Sequence, residues 1–206
     1  MNIYLVTAPT IEPIEINDLK LHLRIELDET DEDEYLEGLI TAAREQVEDI
    51  THRAILTQTW KYYLESWPKE NFIKLPFGNL QSDPTGTPVV AAPIIIWKDT
   101  AGTPTTLTLT TDYLVEKNGE GIGRIVLPYG EVWPSGTLYP SLPISIQYIC
   151  GWTTAALVPF QIKAAIKMIC ADLYEMRGEP VLGQSVIENK TVERLLSSRR
   201  LWDEFI

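Results

Sequence analysis

A chain of 206 residues, 45% hydrophobic and 22% charged, can bury a sizeable core and lies far from the composition of a disordered protein. Its formal charge of −12 gathers at the start: residues 1–56 hold fourteen Asp and Glu against Lys20, Arg24, Arg44 and Arg53, a formal −10. Such a surface repels a phosphate backbone, which argues against tight nucleic-acid binding, although it suits a wall past which DNA must slide. No apolar run is long enough to span a bilayer, and MNIYLVTAPT lacks the basic start and apolar stretch of a signal peptide, so the expectation is a protein with no membrane partner, cytosolic where it is made.

The first predicted element is a short helix over Ile16–Ile25, with Asn17 as its cap and Leu19 and Leu23 one turn apart. A stronger signal follows. Leu36, Leu39, Ile40, Ala43, Val47 and Ile50 form the stripe of an amphipathic helix over Asp31–Thr51. The acidic residues Asp31–Glu34 then occupy its first turn, where the helix dipole favours them.

From Thr57 to Trp152 the pattern changes to short β-branched and aromatic runs broken by Pro, Gly, Asn and Asp. Trp60, Tyr62 and Leu64 alternate with Thr59, Lys61, Tyr63 and Glu65, which predicts a strand with one wet face. Further strands are expected at Phe72–Leu75, Pro93–Lys98, Thr105–Leu109, Tyr113–Glu116, Arg124–Leu127 and Ile144–Cys150, with hairpin turns at Asp99–Gly102 and Asn118–Gly123. Together they make a small antiparallel sheet or barrel of six or seven strands. The Pro- and Thr-rich stretch Ser82–Pro93 reads as a loop.

Helical periodicity returns after Pro159 with Ile162, Ala165, Ile166, Ile169, Cys170 and Leu173, and stops at Gly178 and Pro180. After a loop over Gly178–Ser185, a last helix is expected at Glu188–Arg200. Neither flanking piece buries its stripe alone. The fold class is therefore α+β: a helical domain split into residues 1–56 and 157–206 by an inserted antiparallel β domain at 57–156.

Catalytic patterns are sparse. His22 and His52 have no nucleophile motif beside them, and Cys150 and Cys170 read as buried small hydrophobes. The run from Asp28 lacks the glycine and terminal Glu of a calcium loop, and Gly119, Gly121 and Gly123 lead into a strand where a phosphate loop leads into a helix. No cofactor or metal is expected. A hydrolase using Glu116 with Glu120 or Glu131 ranks last. Tyr129, Trp133 and Tyr139 lie in a proline-bounded loop that holds aromatics where burial is hard, which makes them candidate partner contacts. Arg199, Arg200, Trp202 and Phe205 form a second candidate contact at the C-terminus, the alternative being a fraying tail. The aromatic β region also allows a second reading, a binding module for carbohydrate or for another protein.

The block Glu34–Pro68, with LITAAR, VE, T-x-R-A and TQTW entering a strand that closes on W-P, resembles the tailed-bacteriophage head-tail connector family, also called adaptor or head-completion proteins. IEINDLKLHLRI is similar to the family's opening helix, residues 97–134 with TDYLV and GRIVLPYG to its inserted β region, and VPFQIKAAIKMICADLYEMRG to its second long helix. Where the family ends its long helix on T-G-R, this chain has Thr51, His52, Arg53. The resemblance implies a non-enzymatic structural subunit of a ring, commonly dodecameric, made in the host cytoplasm. It would sit under the portal protein at the virion head-tail junction and meet a stopper or tail-completion protein. DNA would pass through its channel, and Asp28, Glu29, Asp31, Glu32, Asp33 and Glu34 are the candidate acidic channel surface.

Overall fold

The computed structural model describes residues 2–81, 92–177 and 190–201. In chain order these form β1 (Asn2–Thr7), α1 (Ile16–Leu23), α2 (Asp33–Thr51), β2 (Gln58–Leu64), β3 (Phe72–Leu75) and β4 (Ile94–Lys98). They continue with β5 (Pro104–Thr106), β6 (Leu114–Glu116), β7 (Gly123–Val126), β8 (Ile144–Cys150), α3 (Phe160–Glu175) and α4 (Lys190–Ser197). The fold is α+β, with its helices interrupted by strands. Two compact units divide it: strands in 2–9 and 57–152, helices in 10–56 and 153–201.

In the helical unit, the predicted stripe of α2 is buried at Leu36, Leu39, Ile40, Ala43 and Val47, whereas Ile50 is half-buried. It faces α3, which buries Ile162, Ala165, Ile166, Ile169 and Cys170. Burying each Leu or Ile contributes about 1.5–3 kcal/mol, so this seam is the unit's main source of stability. Leu173, expected in the stripe, is 37% exposed. The last helix spans Lys190–Ser197 and adds buried Val192 and Leu196 against α3.

The helix starts differ from expectation. Glu15, extended, precedes α1 without a side-chain cap, and Asn17 lies inside the first turn. Asp31 lies before α2, whose first turn carries Asp33 and Glu34 after Glu32 at the cap position. Both helices end on a left-handed residue that is not glycine: Arg24 at φ 60° and His52 at φ 54°. The chain after α4 is tied back to α2, since Leu201 N donates to Thr51 O at 2.9 Å and Arg53 Nε donates to Arg199 O.

In the strand unit, the expected single sheet or barrel is two antiparallel sheets, one ordered β1-β2-β8-β4-β5 and one ordered β3-β7-β6. The N-terminal strand β1 carries no alternating signal in sequence. It pairs antiparallel with β2, Asn2 opposite Tyr63, and so turns β2 into an interior strand. The wet face expected of β2 is absent: Thr59 to Leu64 are all half-buried. Its other neighbour, β8, alternates cleanly, with Ile144, Ile146, Tyr148 and Cys150 buried. Buried phenols find acceptors, Tyr148 Oη donating to Pro76 O at 3.3 Å and Tyr113 Oη to Pro93 O at 2.5 Å.

Both expected hairpins form, β4 with β5 and β6 with β7. The glycines of NGEGIG serve the second one. Gly119 takes φ 53°, and a Cβ on Gly123 would meet Leu80 Cδ2 at 2.6 Å, so the strand start needs a glycine to let Leu80 pack.

Candidate interaction surfaces

The loop after β7 divides its aromatics between anchoring and display. Trp133 stacks on Trp67 with centroids 5.0 Å apart and planes 4° apart, and its Nε1 donates to Glu70 O at 2.9 Å. That anchor leaves Tyr129 wholly exposed and Val132 77% exposed, since neighbouring loop residues have no core to enter. Tyr139 is 39% exposed and carries Lys98 Nζ 5.8 Å from its ring centroid. Of the predicted contacts here, Tyr129 and Tyr139 are displayed and Trp133 is half-buried support.

The acidic stretch also separates into two kinds of residue. Asp28, Glu29, Asp31 and Glu34 are exposed. Asp33 instead pairs with Lys20 at 2.5 Å; that lysine is 2% exposed and also donates to Glu29 O at 2.5 Å. Glu32 accepts from Arg177 Nη1 and Nη2 at 2.6 and 2.7 Å and from Tyr174 Oη at 2.8 Å. The Arg177 guanidinium lies 3.9 Å from the Tyr174 ring centroid and 4.6 Å from that of Tyr35. These hydrogen bonds hold the Glu32 carboxyl down at about 2, Arg177 foremost, and accepting from Tyr174 pushes that phenol up. Glu32 and Asp33 thus staple the helical unit, which leaves four of the six acidic candidates displayed.

At the C-terminal end, Arg199 Nε donates to Gln161 Oε1 at 2.8 Å and Arg200 is exposed; Trp202 and Phe205 lie outside the described residues. His22 is exposed on α1, and His52 is exposed at the end of α2. Burial pushes the Cys170 thiol up to about 12, which leaves it inert as a nucleophile. Glu116 pairs with Arg124 at 2.7 Å across the β6–β7 hairpin. Among the described residues no His, Cys, Asp and Glu cluster could hold a metal, and no helix is long and apolar enough to cross a membrane.

Two features escaped sequence reading. Arg44 is 5% exposed and joins Glu12 at 2.9 Å and Glu48 at 2.8 Å, fastening the segment before α1 to α2. Its position between Ala43 and Val47 on the buried side of α2 was the available signal. Beside it lies a hollow of about 470 Å³ with an apolar floor at Ile14 and Ile40 and a rim of Glu12, Glu15 and Glu37. Nothing in the local sequence brings residue 12 to residue 41.

The family described as phage gp6-like head-tail connector protein matches residues 13–80, a stretch that contains the Glu34–Pro68 block. No curated protein matches the sequence. Among solved structures, the chain is similar to one in the neck of an empty GTA particle computed with C6 symmetry, at 20% identity and TM-score 0.77, covering 100% of this chain and 98% of that one. It is also similar to a chain in the virion of a native gene transfer agent particle, at 19% identity and TM-score 0.75, and to one in the neck of a native GTA particle computed with C12 symmetry, at 18% and 0.70. Both cover 100% of this chain and 98% of the other. The fold is shared along the whole chain, strands and helices alike.

Proposed function

We propose that this chain is a structural head-tail connector subunit of a phage-like virion, built to form a ring beneath the portal and to join the DNA-filled capsid to the stopper or tail. One observation carries the reading: the chain shares its full-length fold with neck proteins while residues 13–80 match the connector family. The subunit count is twelve in this reading, in keeping with the C12 symmetry of one matched neck. Its task is docking rather than catalysis.

Surface chemistry supports the same role. Asp28, Glu29, Asp31 and Glu34 present negative charge that lets DNA pass a channel wall without adhering. Tyr129, Val132 and Tyr139 offer apolar area to a neighbour on the strand unit, and Arg200 offers charge on the helical one. Light scattering on the purified protein, alone and mixed with the portal of the same virus, tests the proposal. The expected result is a defined ring near twelve times the 23.3 kDa chain mass, or a portal complex of fixed ratio. A monomer in both conditions would overturn it.

A further inference from the structure

A ring of identical chains needs two different surfaces on each copy, one fitting the other on the next, because a self-complementary patch would stop at a dimer. The helical unit carries such a pair. On α3 the core-facing residues are Ile162, Ala165, Ile166, Ile169 and Cys170. Phe160, Lys163 and Lys167, spaced i, i+3 and i+7, share a stripe along a flank of the helix beside that core face, with both lysines half-buried and Phe160 at its exposed head. Phe160 is 87% exposed, and Leu157 just before it is 59% exposed. Lys163 Nζ lies 5.7 Å from the Phe160 ring centroid, so the ridge is apolar at its head and cationic along its length.

The hollow beside Arg44 has the complementary character. Ile14 and Ile40 floor it, Glu15 and Glu37 stand exposed on its rim, and its volume of about 470 Å³ is ample for an aromatic ring. Glu37 and Thr41 lie one turn apart on a flank of α2, beside the Leu36, Leu39, Ile40, Ala43 and Val47 stripe, whose Ile40 borders the hollow. Ridge and hollow belong to different elements of one unit, the ridge to α3 and the hollow to the segment before α1 with α2.

We infer that the α3 ridge of one copy, Leu157, Phe160, Lys163 and Lys167, docks into the Glu15- and Glu37-rimmed hollow of the next copy, Phe160 entering over Ile14 and Ile40. This interface rests on the ring reading above and specifies its contact. Opposite charge sets the register, and the buried phenyl supplies an anchor of the kind that dominates interfaces.

The test uses two charge-reversed full-length proteins, Lys163→Glu with Lys167→Glu, and Glu15→Lys with Glu37→Lys, each checked for native circular dichroism and thermal midpoint. Assembly is read by light scattering, alone and on portal rings. Either protein by itself sets like charges across every contact, and its assembly concentration is expected to rise about 100-fold or more. Mixed in equal amounts they restore opposite charge at every contact of an alternating ring, and assembly returns to the wild-type concentration. Phe160→Ser, at a site outside the core, is expected to weaken assembly about 10-fold or more. Variants that assemble like the wild type, or a mixture that stays dispersed, would overturn the interface and leave the ring reading standing. A wild-type chain monomeric alone and with portal would overturn both.

Discussion

Replacing Arg44 with Met asks how firmly the segment before α1 is held to the helical unit. The guanidinium side chain is 6% exposed, and its partners Glu12 and Glu48 are 31% and 15% exposed. Removing one member of a buried pair commonly costs about 3–5 kcal/mol, because the remaining charge stays desolvated. Here each carboxylate keeps a donor, since Thr41 Oγ1 donates to Glu12 at 2.9 Å and Ile55 N donates to Glu48 at 2.8 Å. The loss is therefore set at the lower end, about 3 kcal/mol. With a urea dependence of about 2 kcal/mol per M, the midpoint of the helical transition falls by about 1.5 M. Circular dichroism at 222 nm follows that transition. Adding Glu12→Gln to Arg44→Met removes one stranded charge and is expected to recover part of the loss. A drop below about 0.3 M would refute the reasoning, because that is the scale of a surface pair.

Two further expectations concern the ends of α2. The Glu32 carboxyl titrates near 2 in the folded chain, so its contribution to stability is present in full above the ordinary carboxylate range and is lost as pH falls through about 2. Arg177→Gln removes the main cause, and a carboxyl titration by NMR should then find Glu32 back toward 4.5; a value still near 2 would locate the cause elsewhere. At the other end, His52 holds φ 54°, a left-handed conformation that glycine adopts without a Cβ penalty. His52→Gly should stabilise the chain by about 1 kcal/mol, seen as a urea midpoint about 0.5 M higher, and a lower midpoint would mean the imidazole makes a contact worth more than the strain.

Much of the fold was legible because local periodicity and burial coincide. The stripe of α2, the seam residues of α3, the two hairpins and the alternation of β8 all follow from neighbours one turn or two residues apart, which a linear reading resolves. The connector motif block fell inside the stretch that the family match covers. The displayed Tyr129 was legible too, since a proline-bounded loop offers an aromatic nothing to pack against. What escaped were the partners distant in sequence. β1 is a strand because β2 lies beside it, and that pairing makes β2 an interior strand. Trp133 changed from a displayed contact to a support because Trp67 stacks on it.

The acidic stretch shows the division most clearly. By itself the sequence determined a negatively charged entry into α2, since charge count and helix polarity need no partner. Only the tertiary structure decided which carboxylates are spent on Lys20 and Arg177 and which remain displayed, as it decided that residues 12 and 15 meet α2 to rim a hollow. An ion pair depends on distance in space, and the 145 positions that separate Glu32 from Arg177 leave no trace of that distance in the chain.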